Sequence, residues 1–270
     1  MRSARVHGSY DPPVSLGRLL SEGVALAGRL LRAGLFGLLL LIGIVGSAAI
    51  WDPGWAIARY DFLVLYAVAI QAGMLLLRLE TLREALVILL FHLTGTAMEW
   101  FKVSAGSWSY PEAGVLKAFD VPLFTGFMYA SVGSFIARSL RLFDIRVAPY
   151  PPHWAAWALG AAIYVNFWSH HHIADLRWVL MGLTLVLFWR TTASSGAYRL
   201  SVRLPVAALG TAGLLWIAEN VGTLSGTWRY AGQARWELVD IGKLGSWYLL
   251  LYVAWATVTL VYRDRIHREV

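Results

Sequence analysis

Two glutamates, Glu99 and Glu219, close long apolar runs and are followed by the same residues. Glycine stands seven positions on (Gly106, Gly226), tryptophan nine (Trp108, Trp228) and tyrosine eleven (Tyr110, Tyr230), all at one offset of 120 residues. A carboxylate inside an apolar helix is expensive and usually functional. His92, seven residues before Glu99, falls on the same helical face two turns away, and Asn220 directly follows Glu219. Two carboxylates facing one axis in a low dielectric repel, so at least one is expected to hold a proton near neutral pH. That chemistry suits a proton donor, a proton relay or half a metal site. Glu99, Glu219, His92 and Asn220 are the candidate catalytic residues; Trp108, Tyr110, Asn166, Trp228 and Tyr230 are candidates for substrate binding. The structural alternative is that each glutamate caps backbone or pairs with a basic neighbour, of which Lys102 is the nearest to Glu99.

A second polar concentration runs from Asn166 to Asp175 and includes Ser169, His170, His171 and His172. Asn166 and His170 are four apart, as are His171 and Asp175, so a continuing helix puts each pair on one face. Imidazole with carboxylate suits zinc, iron or manganese, which makes His170, His171 and Asp175 a candidate divalent-metal set. No cofactor is certain, and a solvated, pH-sensitive loop accounts for the same residues. Glycine at 106 and 226 allows a positive backbone dihedral at a helix exit, and the following Trp and Tyr suit anchoring at lipid headgroups. That account leaves Glu99 and Glu219 unexplained.

The elements that must position these groups follow from composition. The 270-residue chain is 58% hydrophobic and 14% charged and contains 14 Trp. This predicts an all-α polytopic transmembrane helix bundle whose surroundings are membrane lipids. The net charge of +7 is gathered in short clusters between apolar runs, as the positive-inside rule expects, and implies no nucleic-acid partner. With no cysteine, disulfides, thiol catalysis and cysteine-bound metals are excluded. Apolar runs place about eight spans near 34–50, 61–77, 85–101, 121–136, 154–168, 177–189, 204–221 and 244–262. They form one transmembrane domain, 34–262, flanked by an amphipathic segment, 1–33, and a basic tail, 263–270. Sixteen of the 23 basic residues then fall on the side of the two termini and seven on the other, which predicts both termini cytoplasmic in a bacterial inner membrane.

The repeated motif falls at the outer ends of the third and seventh spans. Gly126 and Tyr129 in the fourth span answer Gly245 and Tyr248 in the eighth at an offset of 119. Two parallel four-helix repeats, about 34–147 and 148–262, are expected around a pseudo-twofold along the membrane normal. Three function classes remain open. The first is a membrane-embedded enzyme acting on a lipid or isoprenoid, with a glutamate as general acid. The second is a proton-coupled transporter of a small molecule, and the third a scaffold without chemistry.

Thr94 to Glu99 with Gly106 to Pro111, Val121 to Tyr129, Tyr164 to Phe167 with His171 and Asp175, and Trp216 to Asn220 together resemble domain of unknown function 817. The resemblance runs from about residue 90 to 250 and implies a bacterial multi-pass membrane protein without naming an activity. A narrower likeness, confined to the repeated motif, is to integral membrane carotenoid enzymes, the small lycopene cyclase subunits and the carotenoid hydratases. Their helix ends similarly pair an acidic residue with a downstream glycine and aromatics. The acidic pair of the cyclases is missing here and the span count differs, so this likeness is an analogy.

Overall fold

The computed structural model describes residues 16–170, 172–195, 200–234 and 236–266. Its helices are α1 (Leu16–Ala33), α2 (Leu35–Ile50), α3 (Arg59–Leu76), α4 (Leu82–Ser104), α5 (Phe124–Leu142), α6 (His153–Ser169), α7 (Arg177–Phe188), α8 (Leu204–Leu224) and α9 (Gly242–Val261). Each of the eight expected apolar runs is a helix, α2 to α9. By length and composition, four of them are suited to crossing a membrane: α3, α4, α8 and α9. A fifth span arises if α1 and α2, bent by 72° at Gly34, act together. The expected sixth span is the shortest departure: α7 has 12 residues, or about 18 Å at 1.5 Å per residue, against a hydrocarbon core of roughly 30 Å.

Local chemistry sets several boundaries. Thr81 and Glu84 form a reciprocal capping box that starts α4, and Pro205 occupies the first turn of α8, where its missing N–H costs nothing. The fourth expected span is displaced. Residues 117–122 form a hairpin, β2 (Lys117–Ala118) with β3 (Val121–Pro122), so α5 begins only at Phe124. At its other end α5 runs past Arg138 and Arg141, expected in a loop. Arg138 donates to the carbonyls of Leu79 and Arg32, and Arg141 meets Glu84 at 2.8 Å, so their charges are satisfied within the helical packing.

Helices α4 and α5 make the closest packing, through small residues. Tyr129 lies on Gly95, His92 and Thr96 on Gly126, and Phe91 on Gly133. Such close approach is how helices associate where lipid offers no hydrophobic drive. Helix α9 packs against α4 to α8 and contributes Leu249, Tyr252 and Val258 to the larger core. Only 28–44% of each of the four long apolar windows is buried, so Leu65, Leu89, Leu214 and Ile217 point outward. Apolar faces of that extent are compatible with a lipid surrounding.

At one end of the bundle β4 (Arg146–Ala148), β5 (Thr192–Ser195) and β6 (Leu200–Arg203) form an antiparallel sheet. Residues 263–266, the start of the expected basic tail, are tied to it. Ile266 bridges Val147, Arg265 pairs with Asp144, and Arg263 lies 4.9 Å over the ring of Trp157. At the other end, where α4 and α8 stop, β1 (Trp108–Ser109) pairs with β7 (Arg229–Tyr230). Of the amphipathic segment, α1 leaves Val24 and Leu31 73% and 58% exposed; residues 1–15 lie outside the described residues, as do 267–270 of the basic tail.

Candidate functional site

The two glutamate motifs end their helices in the same way. Gly106 and Gly226 have φ of +69° and +73°, a conformation glycine adopts without a Cβ penalty. The N–H of Ser107 returns to the carbonyl of Lys102 and that of Thr227 to Gly222, the six-to-one bond of a Schellman cap. The chains then meet. Trp108 stands opposite Tyr230, and Ser109 opposite Arg229. Ser109 and Arg229 occupy the same place in the two copies (109 + 120 = 229), so the register is the one a local two-fold axis requires.

This pairing folds Glu99 and Glu219 onto one cavity of about 290 Å³. Glu99 is 2% exposed; its Oε2 accepts from Trp108 Nε1 at 2.8 Å and Tyr110 OH at 2.7 Å, and its Oε1 from Tyr129 OH at 2.8 Å. Glu219 is 7% exposed and accepts from Tyr230 OH on Oε1 and from Trp247 Nε1 on Oε2 at 2.5 Å. All four carboxylate oxygens are thus met by phenol or indole donors. Burial, reinforced by the glutamate each faces, holds the Tyr110 and Tyr230 phenols well above the ordinary range, so both stay donors at any physiological pH.

Of the candidate site residues, Glu99, Glu219, Trp108, Tyr110, Trp228, Tyr230 and His170 line this cavity. His92 does not; its ring sits 4.5 Å from Phe127 and packs on Gly126 in the α4–α5 seam. Asn220 is spent on structure, donating to Trp216 O and accepting from Val239 N, which pins the loop before α9. Asn166 works likewise, bonding Asp175 and the N–H of Leu176 to hold the turn between α6 and α7. Asp175 also pairs with Arg177 at 3.1 Å. Burial pulls its carboxyl up, but the hydrogen bonds from Asn166 and the Arg177 backbone, with the Arg177 charge, hold it below the ordinary range. His170 is lowered by burial and by the Lys102 charge, so it is neutral at pH 7. His171, the third member of the expected metal set, lies outside the described residues. Among the described residues no three His, Asp or Glu side chains are grouped to hold a metal.

Tyr129 and Trp247 supply a donor to each glutamate from the next helix, and their one signal in the sequence is the 119-residue echo, in which Tyr129 takes part and Trp247 stands beside Tyr248. Lys102, Arg177 and Lys243 also line the cavity. The ammonium of Lys243 lies 4.2 Å over the Tyr230 ring, and that of Lys102 lies 5.5 Å over Phe167. Their signal in the sequence was location: all three belong to the seven basic residues on the side where the positive-inside pattern expects few.

No solved structure matches the chain. It is 45% identical over 205 residues to the "Uncharacterized protein YoaT" of Bacillus subtilis (strain 168), covering 74% of this chain and 77% of that protein. The family model described as "Protein of unknown function (DUF817)" matches residues 24–255, and the chain, with its paired glutamate motifs, belongs to that family.

Proposed function

We propose that this protein is a membrane-embedded enzyme that acts on a lipid or isoprenoid, with Glu99 or Glu219 as general acid. One observation carries the reading: two glutamates 120 residues apart share the wall of one cavity, each held by hydrogen-bond donors that cannot replace its proton. In the reaction a glutamic acid gives its proton to a substrate carbon or oxygen. The carboxylate left behind is received by donors already in position, Trp108, Tyr110 and Tyr129 for Glu99, so stabilisation rises as charge develops. The indole and phenol faces of Trp228, Tyr230 and Trp247 supply negative π density to a transient substrate cation. Packing favours this over a carrier. Below Glu99 the α4–α5 seam is closely packed, with Tyr129 on Gly95 and His92 on Gly126, and the space that adjoins the glutamate cavity on that side is lined mostly by apolar side chains.

The architecture that goes with this reading is eight membrane-inserted helices in two parallel four-helix repeats, α2–α5 and α6–α9, with α7 reaching only part of the way. The matching helix exits and the symmetric β1–β7 register support it. Both termini would be cytoplasmic in the bacterial inner membrane, with α1 lying on its inner surface; the 72° bend and exposed apolar side chains of α1 support that placement. The test is lipid analysis of bacterial membranes carrying the wild-type chain, Glu99→Gln or Glu219→Gln at equal protein levels. A lipid species converted by the wild type, and far less by the variant that lacks the acid, is expected. Conversion that survives both substitutions would refute the general-acid role.

A further inference from the structure

We infer that the ligand of this site is a single-chain amphiphile with an oxyanion headgroup, a phosphate or carboxylate, whose head lies among Lys102, Arg177 and Lys243 and whose chain runs along α9. The inference rests on the enzyme reading above and names its substrate class.

Three cavities stand in line down the bundle. The glutamate cavity shares Met98, Tyr129, Trp247 and Leu250 with a waist of about 40 Å³ lined mostly by apolar side chains. The waist shares Leu251 with an apolar groove of about 120 Å³ between α5 and α8, floored by Tyr252 and Trp255 of α9. A polar chamber, a narrow apolar waist and an apolar groove that adjoin one another match the profile of an amphiphile with its head at the chamber end.

The charges select the head. Three cations line the chamber with two carboxylates whose oxygens are already held by neutral donors. Lys102 is 3% exposed, so it does not snorkel to water, and its ammonium rests against the faces of Phe101 and Phe167. Lys243 is held inward over Tyr230, without an ion pair within 4.0 Å among the described residues. Arg177 gives Nη2 to Asp175, while its Nη1 lies toward Gly242 at the start of α9. Cations gathered in a chamber walled by aromatic rings are stabilised by an oxyanion that all three can reach.

The test uses the full chain in nanodiscs and four probes: hexadecyl phosphate, hexadecanoate, hexadecanol and inorganic phosphate. Binding of the charged amphiphiles should exceed that of hexadecanol by about tenfold or more, the scale of a charge-assisted contact. Phosphate against carboxylate then ranks the two heads. Lys243→Gln should erase the preference and Lys243→Arg keep it, which separates lost charge from lost folding. Equal binding of alcohol and anions, or a preference that survives Lys243→Gln, overturns the inference. So does inorganic phosphate binding as tightly as hexadecyl phosphate, which would make this a free-oxyanion site. Lipid conversion that persists in both Glu99→Gln and Glu219→Gln defeats the general-acid reading independently of these binding results.

Discussion

The two glutamate ends begin from one motif and finish differently. Trp108 turns its indole N–H to Glu99, whereas Trp228, at the equivalent position, lies over Gly222, and Glu219 takes its indole from Trp247 instead. The copies also differ in the residue at that point of the helix: the position equivalent to Gly222 in the first copy is Lys102 (222 − 120 = 102). Glycine gives the Trp228 ring room to lie on the helix, and lysine in its place puts a buried cation in the wall of the chamber. The copies keep the tyrosine donor and the helix exit, and differ in the source of the indole. What is held constant is a carboxylate with phenol and indole donors, which is the arrangement the proposed proton transfer needs.

The largest effect expected from that comparison is on turnover. Glu99→Gln should lower lipid conversion by about a hundredfold or more if Glu99 is the acid, with Glu219→Gln the smaller loss; the reverse order would reassign the role to Glu219. Gly222→Ala comes next. A Cβ there overlaps the Trp228 ring, so thermal unfolding in detergent should show a loss of about 2–3 kcal/mol, while Lys102→Ala should not crowd Trp108. Trp108→Phe should cost about 1–2 kcal/mol by leaving Glu99 one donor short, and Trp247→Phe should do the same to Glu219. Trp228→Phe removes no bond to either glutamate but shrinks a buried ring, and should cost about 1–2 kcal/mol in the same assay through lost packing alone. The smallest effects belong to Gly106→Ala and Gly226→Ala, each about 1 kcal/mol and equal to one another, since the two exits share a positive φ. Unequal values would show that the exits differ energetically despite their common geometry.

Much of this was readable before any coordinates. Periodicity and basic loops located the helices α2 to α9, and the fixed offset of 120 singled out Glu99 and Glu219 and the positive-φ glycines after them. Other residues lie elsewhere than their spacing suggests, for physical reasons. His92 shares a helical face with Glu99, but the close α4–α5 approach at Gly126 takes that face as an interface. Asn166 and Asn220 are polar in apolar surroundings because loops hang from them, and periodicity cannot distinguish a loop clamp from a ligand contact. Arg138 and Arg141 looked like loop residues because their partners, the Leu79 and Arg32 carbonyls and Glu84, lie on other segments. The cationic side of the chamber was hidden by tertiary distance, since Lys102, Arg177 and Lys243 come from three helices.

The central claim, that the two motif copies meet, is open to a direct measurement because the chain has no cysteine. Ser109 and Arg229 are exposed and stand opposite one another in the β1–β7 pair, a spacing of about 5 Å between Cα atoms, within disulfide reach. Oxidation of the Ser109→Cys, Arg229→Cys chain in native membranes should cross-link it nearly completely and protect both thiols from a maleimide reagent. Thiols that stay fully reactive in folded protein would contradict the shared site.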